Sequence, residues 1–147
     1  MKMHCFLSVL LLLVAGHAMA EVPVERAVKY RQSAYYLMGQ HLSKINAVIK
    51  GEMPYNKATL EMNAELLVMM SRVVFDAFPA GSDSGATKAK PEIWREMDKF
   101  KKLSQASQSE LDKLLAAAKT GDMAAIEVRF REASKSCKQC HDQYKTK

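Results

Sequence analysis

The segment of this chain best equipped for chemistry is Cys137-Lys138-Gln139-Cys140-His141. Two thiols three positions apart can add across the two vinyl groups on one edge of a porphyrin. The next residue then lies under the ring, where an imidazole nitrogen can bind the iron. This is the spacing of c-type haem attachment. Two other chemistries use a Cys-x-x-Cys pair. A thiol–disulfide redox pair usually sits beside a βαβ pattern, and no strand-like alternation occurs nearby. Structural zinc takes four ligands, and the remaining cysteine and histidine supply is small.

That supply depends on how the chain begins. Lys2 gives a positive start, Phe6 to Ala15 is an apolar run, and Ala18-Met19-Ala20 is a small-x-small cleavage site. These are the parts of a secretory signal over residues 1–20. The apolar run is short for a membrane span, although a retained N-terminal helix is the competing reading. Cutting after Ala20 removes His4, Cys5 and His17, so the mature chain of 127 residues keeps Cys137, Cys140, His41 and His141. Haem is attached to c-type proteins outside the cytoplasm. Leader and motif therefore point to one compartment, a bacterial periplasm. The mature chain carries 21 basic and 16 acidic residues. This modest, dispersed excess suits steering of an acidic protein partner and does not suggest nucleic acid. Its densest stretch, Lys135 to Lys147, surrounds the motif.

Residues 21–147 fit one domain, and the elements that position the motif read as helices. Ala, Leu, Met, Lys, Glu and Gln dominate. The first helix is expected from about Val24 to Ile49, with Ala34, Met38, Leu42, Ile45 and Ile49 on one stripe. Gly51 ends it and Pro54 prevents its resumption. The second starts after Asn56, a good N-cap, and runs through Phe78 until Pro79 stops it. Residues 80–90 form a loop of small residues. The third opens with Pro91 and runs to Gly121, with the polar Ser104–Ser109 stretch as the expected place for a bend. The fourth runs from about Met123 to Tyr144, and Cys137, His141 and Tyr144 share a side. Four such helices with short connections give an all-α, antiparallel up-down-up-down four-helix bundle.

The chain resembles the cytochrome c-prime family. The resemblance spans the mature chain. It rests on Tyr30-Arg31-Gln32, Lys50-Gly51 with Pro54-Tyr55, Phe78-Pro79, Gly81-Ser82, Ala89-Lys90-Pro91-Glu92-Ile93-Trp94, Gly121-Asp122 and the terminal Cys137-Lys138-Gln139-Cys140-His141-Asp142. It implies one haem c, thioether-bonded to Cys137 and Cys140, with His141 as the axial iron ligand. Arg31 and Gln32 are expected near the propionates, Thr87 or Lys88 at the haem edge, and Phe78 against the porphyrin. The iron of such proteins is typically five-coordinate, its other side closed by helix one. They bind nitric oxide and carbon monoxide, are credited with electron transfer to partner proteins, and are usually homodimers through helix one and its neighbour.

Alignment on Tyr30-Arg31-Gln32 puts Tyr35 at the family's distal position, where many members carry an aliphatic residue. Its phenol can donate a hydrogen bond to a ligand or block the site with its ring. As a phenolate ligand it would need a large fall from a pKa of about 10. The competing assignment turns Tyr36 to the haem and Tyr35 to a dimer interface. Met38, one turn further, can line the pocket, or its thioether can be a sixth ligand in a low-spin electron carrier. His41, two turns beyond Tyr35, reads as a hydrogen-bonded interface or rim residue, with bis-histidine ligation of the iron as the competing reading. Lys145 stands where many members have arginine, keeping the charge but losing the planar fork. An enzyme such as a peroxidase wants a distal acid–base pair, and helix one offers no distal histidine or acid beside Tyr35. The expectation is a non-enzymatic haem protein.

Overall fold

The computed structural model describes residues 23–147, and the expected leader lies outside them. Four long helices dominate: α1 (Val24–Ile49), α2 (Lys57–Val73), α4 (Met97–Thr120) and α5 (Met123–Tyr144), with a one-turn α3 (Glu92–Arg95) before α4. The structure is an all-α four-helix bundle. Arg31 meets Ala77 and His41 meets Asn63, so α1 and α2 run antiparallel. Arg72 pairs with Asp112 and Lys119 with Glu65, which sets α2 against α4 in the same sense. Neighbours in sequence are neighbours in space: α1 packs on α2, α2 on α4 and α4 on α5, whereas α1 and α5 barely touch. A seam is thus left along the side that carries the motif.

Local chemistry sets the boundaries. The Asn56 side chain accepts a hydrogen bond from the Thr59 amide at 2.9 Å, and Asp122 accepts from Ala124 and Ala125. Both satisfy donors that a helix start leaves open. Gly51 and Gly121 take positive φ (73° and 81°) and end α1 and α4, a conformation cheap only for glycine.

Two boundaries differ from expectation. The α-helical part of the second helix stops at Val73 and tightens into a 3₁₀ turn over Val74–Ala77. Pro79 disfavours α geometry at the residue before it, and the last turn contracts accordingly. The third helix breaks at Glu96 (φ −122°, ψ 39°), not in the Ser104–Ser109 stretch, which stays helical throughout. Serine's small propensity deficit is readily overridden by packing.

The core falls into two clusters. One is mainly aliphatic: Met38, Ile45, Leu60, Leu67, Met70, Leu111, Leu114 and Ile126. The other is largely aromatic: Phe75, Phe78, Ile93, Trp94, Phe100 and Tyr144, with Cys140 packed against it.

Candidate haem-binding site

The attachment motif occupies the last turns of α5. Cys137 and Cys140 are half-buried free thiols, and His141 is exposed. Burial pushes both thiols up, Cys140 to about 11 with help from the neighbouring Cys137 charge. Protonated thiols are poor agents of disulfide exchange, which runs through the thiolate. Among the described residues, no group of three or more His, Cys, Asp or Glu is arranged to hold a metal ion. Burial, and then the Lys145 charge, lower the His141 pKa. The neutral imidazole that a metal requires is therefore favoured.

A short crossing strap fixes this end of α5. The Lys90 amide donates to the Tyr144 carbonyl at 2.9 Å, and the Thr146 amide donates to the Lys88 carbonyl at 2.9 Å. The Tyr144 hydroxyl donates to Glu96 at 3.2 Å. The loop before Pro91 is thereby pinned within a turn of His141. Lys88 contributes its carbonyl, and its side chain is exposed.

Tyr35 faces the thiols from α1. It lies close enough that ionised Cys140 and Cys137 would oppose its own ionisation. Enclosure is the larger cause of its raised pKa, so the phenol stays protonated and can donate. Yet 41% of its surface is open, because it borders the seam between α1 and α5. Tyr36, next along α1, is 66% exposed.

Arg31 departs from expectation. It is 2% exposed. Its guanidinium donates to the Ala77 carbonyl (3.1 Å), Ser82 Oγ (2.8 Å), the Ser82 carbonyl and Thr87 Oγ1 (2.9 Å). It also lies 5.0 Å from the Phe78 ring centroid and 5.5 Å from that of Trp94. Four of its five N–H donors are thus engaged by the 77–87 segment rather than free for a propionate. Gln32 holds the same loop, donating to the Ala86 carbonyl at 2.6 Å. Thr87 is drawn in by Arg31 instead of standing free at an edge. Phe78 sits in the aromatic cluster, 4.9 Å from Phe100 between centroids.

Met38 is buried in the aliphatic cluster. Its packing there disfavours a thioether directed at iron. His41 makes a 2.7 Å hydrogen bond to Asn63 on α2, as a rim histidine would.

Three features fit a porphyrin: the thin α1–α5 packing, the Tyr35 phenol bordering that seam, and an enclosed serine hydroxyl. Ser107 Oγ is enclosed and lacks a hydrogen-bond partner. It lies on α4 between Leu103 of the aromatic cluster and Leu111 of the aliphatic one. Sequence reasoning missed Ser82, Ser107 and the Glu96–Tyr144 contact. In the sequence Ser82 reads only as a mark of the resemblance within a loop of small residues, not as a partner of Arg31. The others depend on which helices meet.

The comparisons with known proteins agree. Residues 26–145 match the Cytochrome C' family. The chain belongs to the cytochrome c-prime family. It is 42% identical to cytochrome c' of Alcaligenes xylosoxydans xylosoxydans, over 84% of this chain and 95% of the relative. The crystal structure of cytochrome c' from Rubrivivax gelatinosus superposes with a TM-score of 0.77 at 36% identity, covering 82% of this chain and 94% of that one. A nitric oxide complex of a point variant of the Alcaligenes xylosoxidans cytochrome c prime gives 0.79 at 42% identity, covering 84% and 97%. Covalent haem c is the cofactor of the family, and Cys137 and Cys140 lie where this chain would carry it.

Proposed function

We propose that this cytochrome c-prime is an exported haem protein that captures nitric oxide and carbon monoxide and passes electrons to a partner protein, without enzymatic turnover. Cys137 and Cys140 hold the ring through thioethers: each S–H adds across a vinyl C=C, sulfur to one carbon and hydrogen to the other. His141 is the single protein ligand, so the iron is five-coordinate. Haem supplies an iron that changes oxidation state and accepts a diatomic; the chain supplies access and selection.

The observation that carries this reading is the pairing of a protonated Tyr35 phenol at the α1–α5 seam, beside the thiols, with a Met38 packed into the core. A neutral diatomic gains entry by displacing the Tyr35 ring. An anion would lose its hydration in an enclosed site with little return. Gln32 and the remaining Nε–H of Arg31 are the donors offered to the propionates, and Phe78, Thr87 and Lys88 border the ring's edge.

Export follows from the leader, with cleavage after Ala20 and a periplasmic mature chain 21–147. No described helix is long and apolar enough to cross a membrane. Exposed Lys88, Lys135, Lys138 and Lys145 give the haem edge a positive rim for an acidic redox partner. A homodimer is supported by large apolar side chains left exposed on adjacent helices: Tyr30 and Leu37 on α1, and Met62, Met69 and Val73 on α2.

Absorption spectra test the coordination. High-spin ferric and ferrous iron is expected, with spectral changes on adding nitric oxide or carbon monoxide. A low-spin ferric spectrum with a Met–iron band would replace gas capture by a six-coordinate electron carrier. Tyr35→Ala should bind carbon monoxide faster; an unchanged rate would remove Tyr35 as the gate.

A further inference from the structure

Contacts between the helices bring Ser107 and Tyr35 to neighbouring levels of the bundle. On α1 and α2, Arg31 lies against Ala77 and His41 against Asn63, so the level of Tyr35 on α2 is near Ser71. Between α2 and α4, Gln108 Nε2 donates to the Ser71 carbonyl at 2.9 Å, which puts the neighbouring Ser107 within a turn or so of that level, while Arg72 pairs with Asp112 further along α4. Between α4 and α5, Phe100 packs edge-on against Tyr144, with centroids 5.3 Å apart, and the chain reverses at Gly121. This register sets Ser107 opposite Cys137. Ser107 thus lies level with Cys137 and within a turn or so of Tyr35.

At that level Ser107 is anomalous. Phe100, Leu103, Leu111 and Leu114 continue its side of α4 as apolar packing. Ser107 alone puts a hydroxyl there, and its Oγ is enclosed without a partner. Two other serines on the inner sides of helices satisfy themselves: Ser71 donates to the Val68 carbonyl and Ser136 to the Ala133 carbonyl. A buried hydroxyl without a partner is destabilising by about 1–3 kcal/mol, so such a group points to a partner that arrives from outside the chain.

We propose that Ser107 is a ligand-selecting residue whose Oγ–H donates a hydrogen bond to a diatomic held in the opening beside Tyr35. This deepens the gas-binding reading and rests on it. Two donors at neighbouring levels, from α1 and α4, favour ligands that accept a hydrogen bond at their outer atom over those that bind iron through size alone.

The test uses the carbon monoxide complex of the ferrous holoprotein. Ser107→Ala removes only the hydroxyl, and Ser109→Ala, on the exposed face of α4, is the control. The C–O stretch should move to higher wavenumber in Ser107→Ala, and carbon monoxide should dissociate about fivefold faster, the factor carried by one ordinary hydrogen bond. Ser109→Ala should match the wild type in both. An unchanged stretch and dissociation rate in Ser107→Ala, with Tyr35→Phe still shifting the stretch, overturns the role of Ser107 and leaves gas binding standing. A wild-type holoprotein that takes up no carbon monoxide overturns both. Melting of the ligand-free holoprotein gives an independent readout: Ser107→Ala should melt no lower than wild type, and a lower melting point would mean that the hydroxyl is already satisfied within the bundle.

Discussion

The end of the bundle that holds Gly51 and Gly121 is closed by aliphatic packing, whereas the end that holds the attachment motif is closed by aromatic rings around a buried guanidinium. At the first end, Ile45, Leu67, Leu111, Leu114 and Ile126 are almost wholly buried, and the buried polar side chain beside them, Asn63, is satisfied by His41 and the Thr59 carbonyl. At the second, Phe75, Phe78, Trp94, Phe100 and Tyr144 meet at centroid distances of 4.9–6.3 Å, and Arg31 ties the loop across them. Aliphatic side chains fill space closely and need no partner, which suits the part that has only to fold. Flat rings, thiols and a polar pillar suit the part that must border a flat cofactor and leave a path beside it.

Four perturbations sharpen this contrast. The largest effect is expected from Leu114→Ala, which opens a cavity in the aliphatic end and should cost about 2–5 kcal/mol in denaturant unfolding, while the haem spectrum of the folded fraction stays that of wild type. Arg31→Ala attacks the other end. Losing a guanidinium shared by four acceptors should cost about 2–3 kcal/mol, and amide exchange should accelerate over residues 77–89 while the aliphatic end keeps its protection. If both ends lose protection equally, the division into two regions is wrong. Asn56→Ala removes one helix cap at the aliphatic end and should cost about 1 kcal/mol, seen as a small fall in the unfolding midpoint.

The smallest effect concerns pH. The Glu96 carboxylate is held below its usual range by its hydrogen bond from Lys99, then by the Lys99 charge, then by the Tyr144 hydroxyl. A lowered pKa in the folded state stabilises above the unfolded carboxylate range and is lost as pH falls through the folded value. Glu96→Gln should therefore melt slightly below wild type at neutral pH, and the two should converge in acid. Melting curves across that range check it, and a gap that widens toward acid would contradict the assignment.

Most of this architecture was legible in the sequence. Val24–Ile49 and Met123–Tyr144 follow from uninterrupted apolar stripes bounded by Pro23, Gly51, Asp122 and the charged tail, so local signals suffice. The break at Glu96 was not legible, because the Tyr144 hydroxyl that holds Glu96 comes from another helix. The motif residues were readable because their spacing is itself the chemistry. Arg31 was assigned to the propionates, and its partners Ser82 and Thr87 lie over fifty residues away in a loop without a periodic pattern. Ser107 looked like one serine in a polar run, and its enclosure appears only once α2 and α5 flank α4.

The claim on which the rest depends is that Cys137 and Cys140 carry haem covalently, and it is tested most directly by weighing the protein. The exported chain, extracted with acid acetone and measured by mass spectrometry, should retain its colour and have the mass of residues 21–147 plus one haem. A colourless chain with free thiols and the mass of the polypeptide alone would contradict the account.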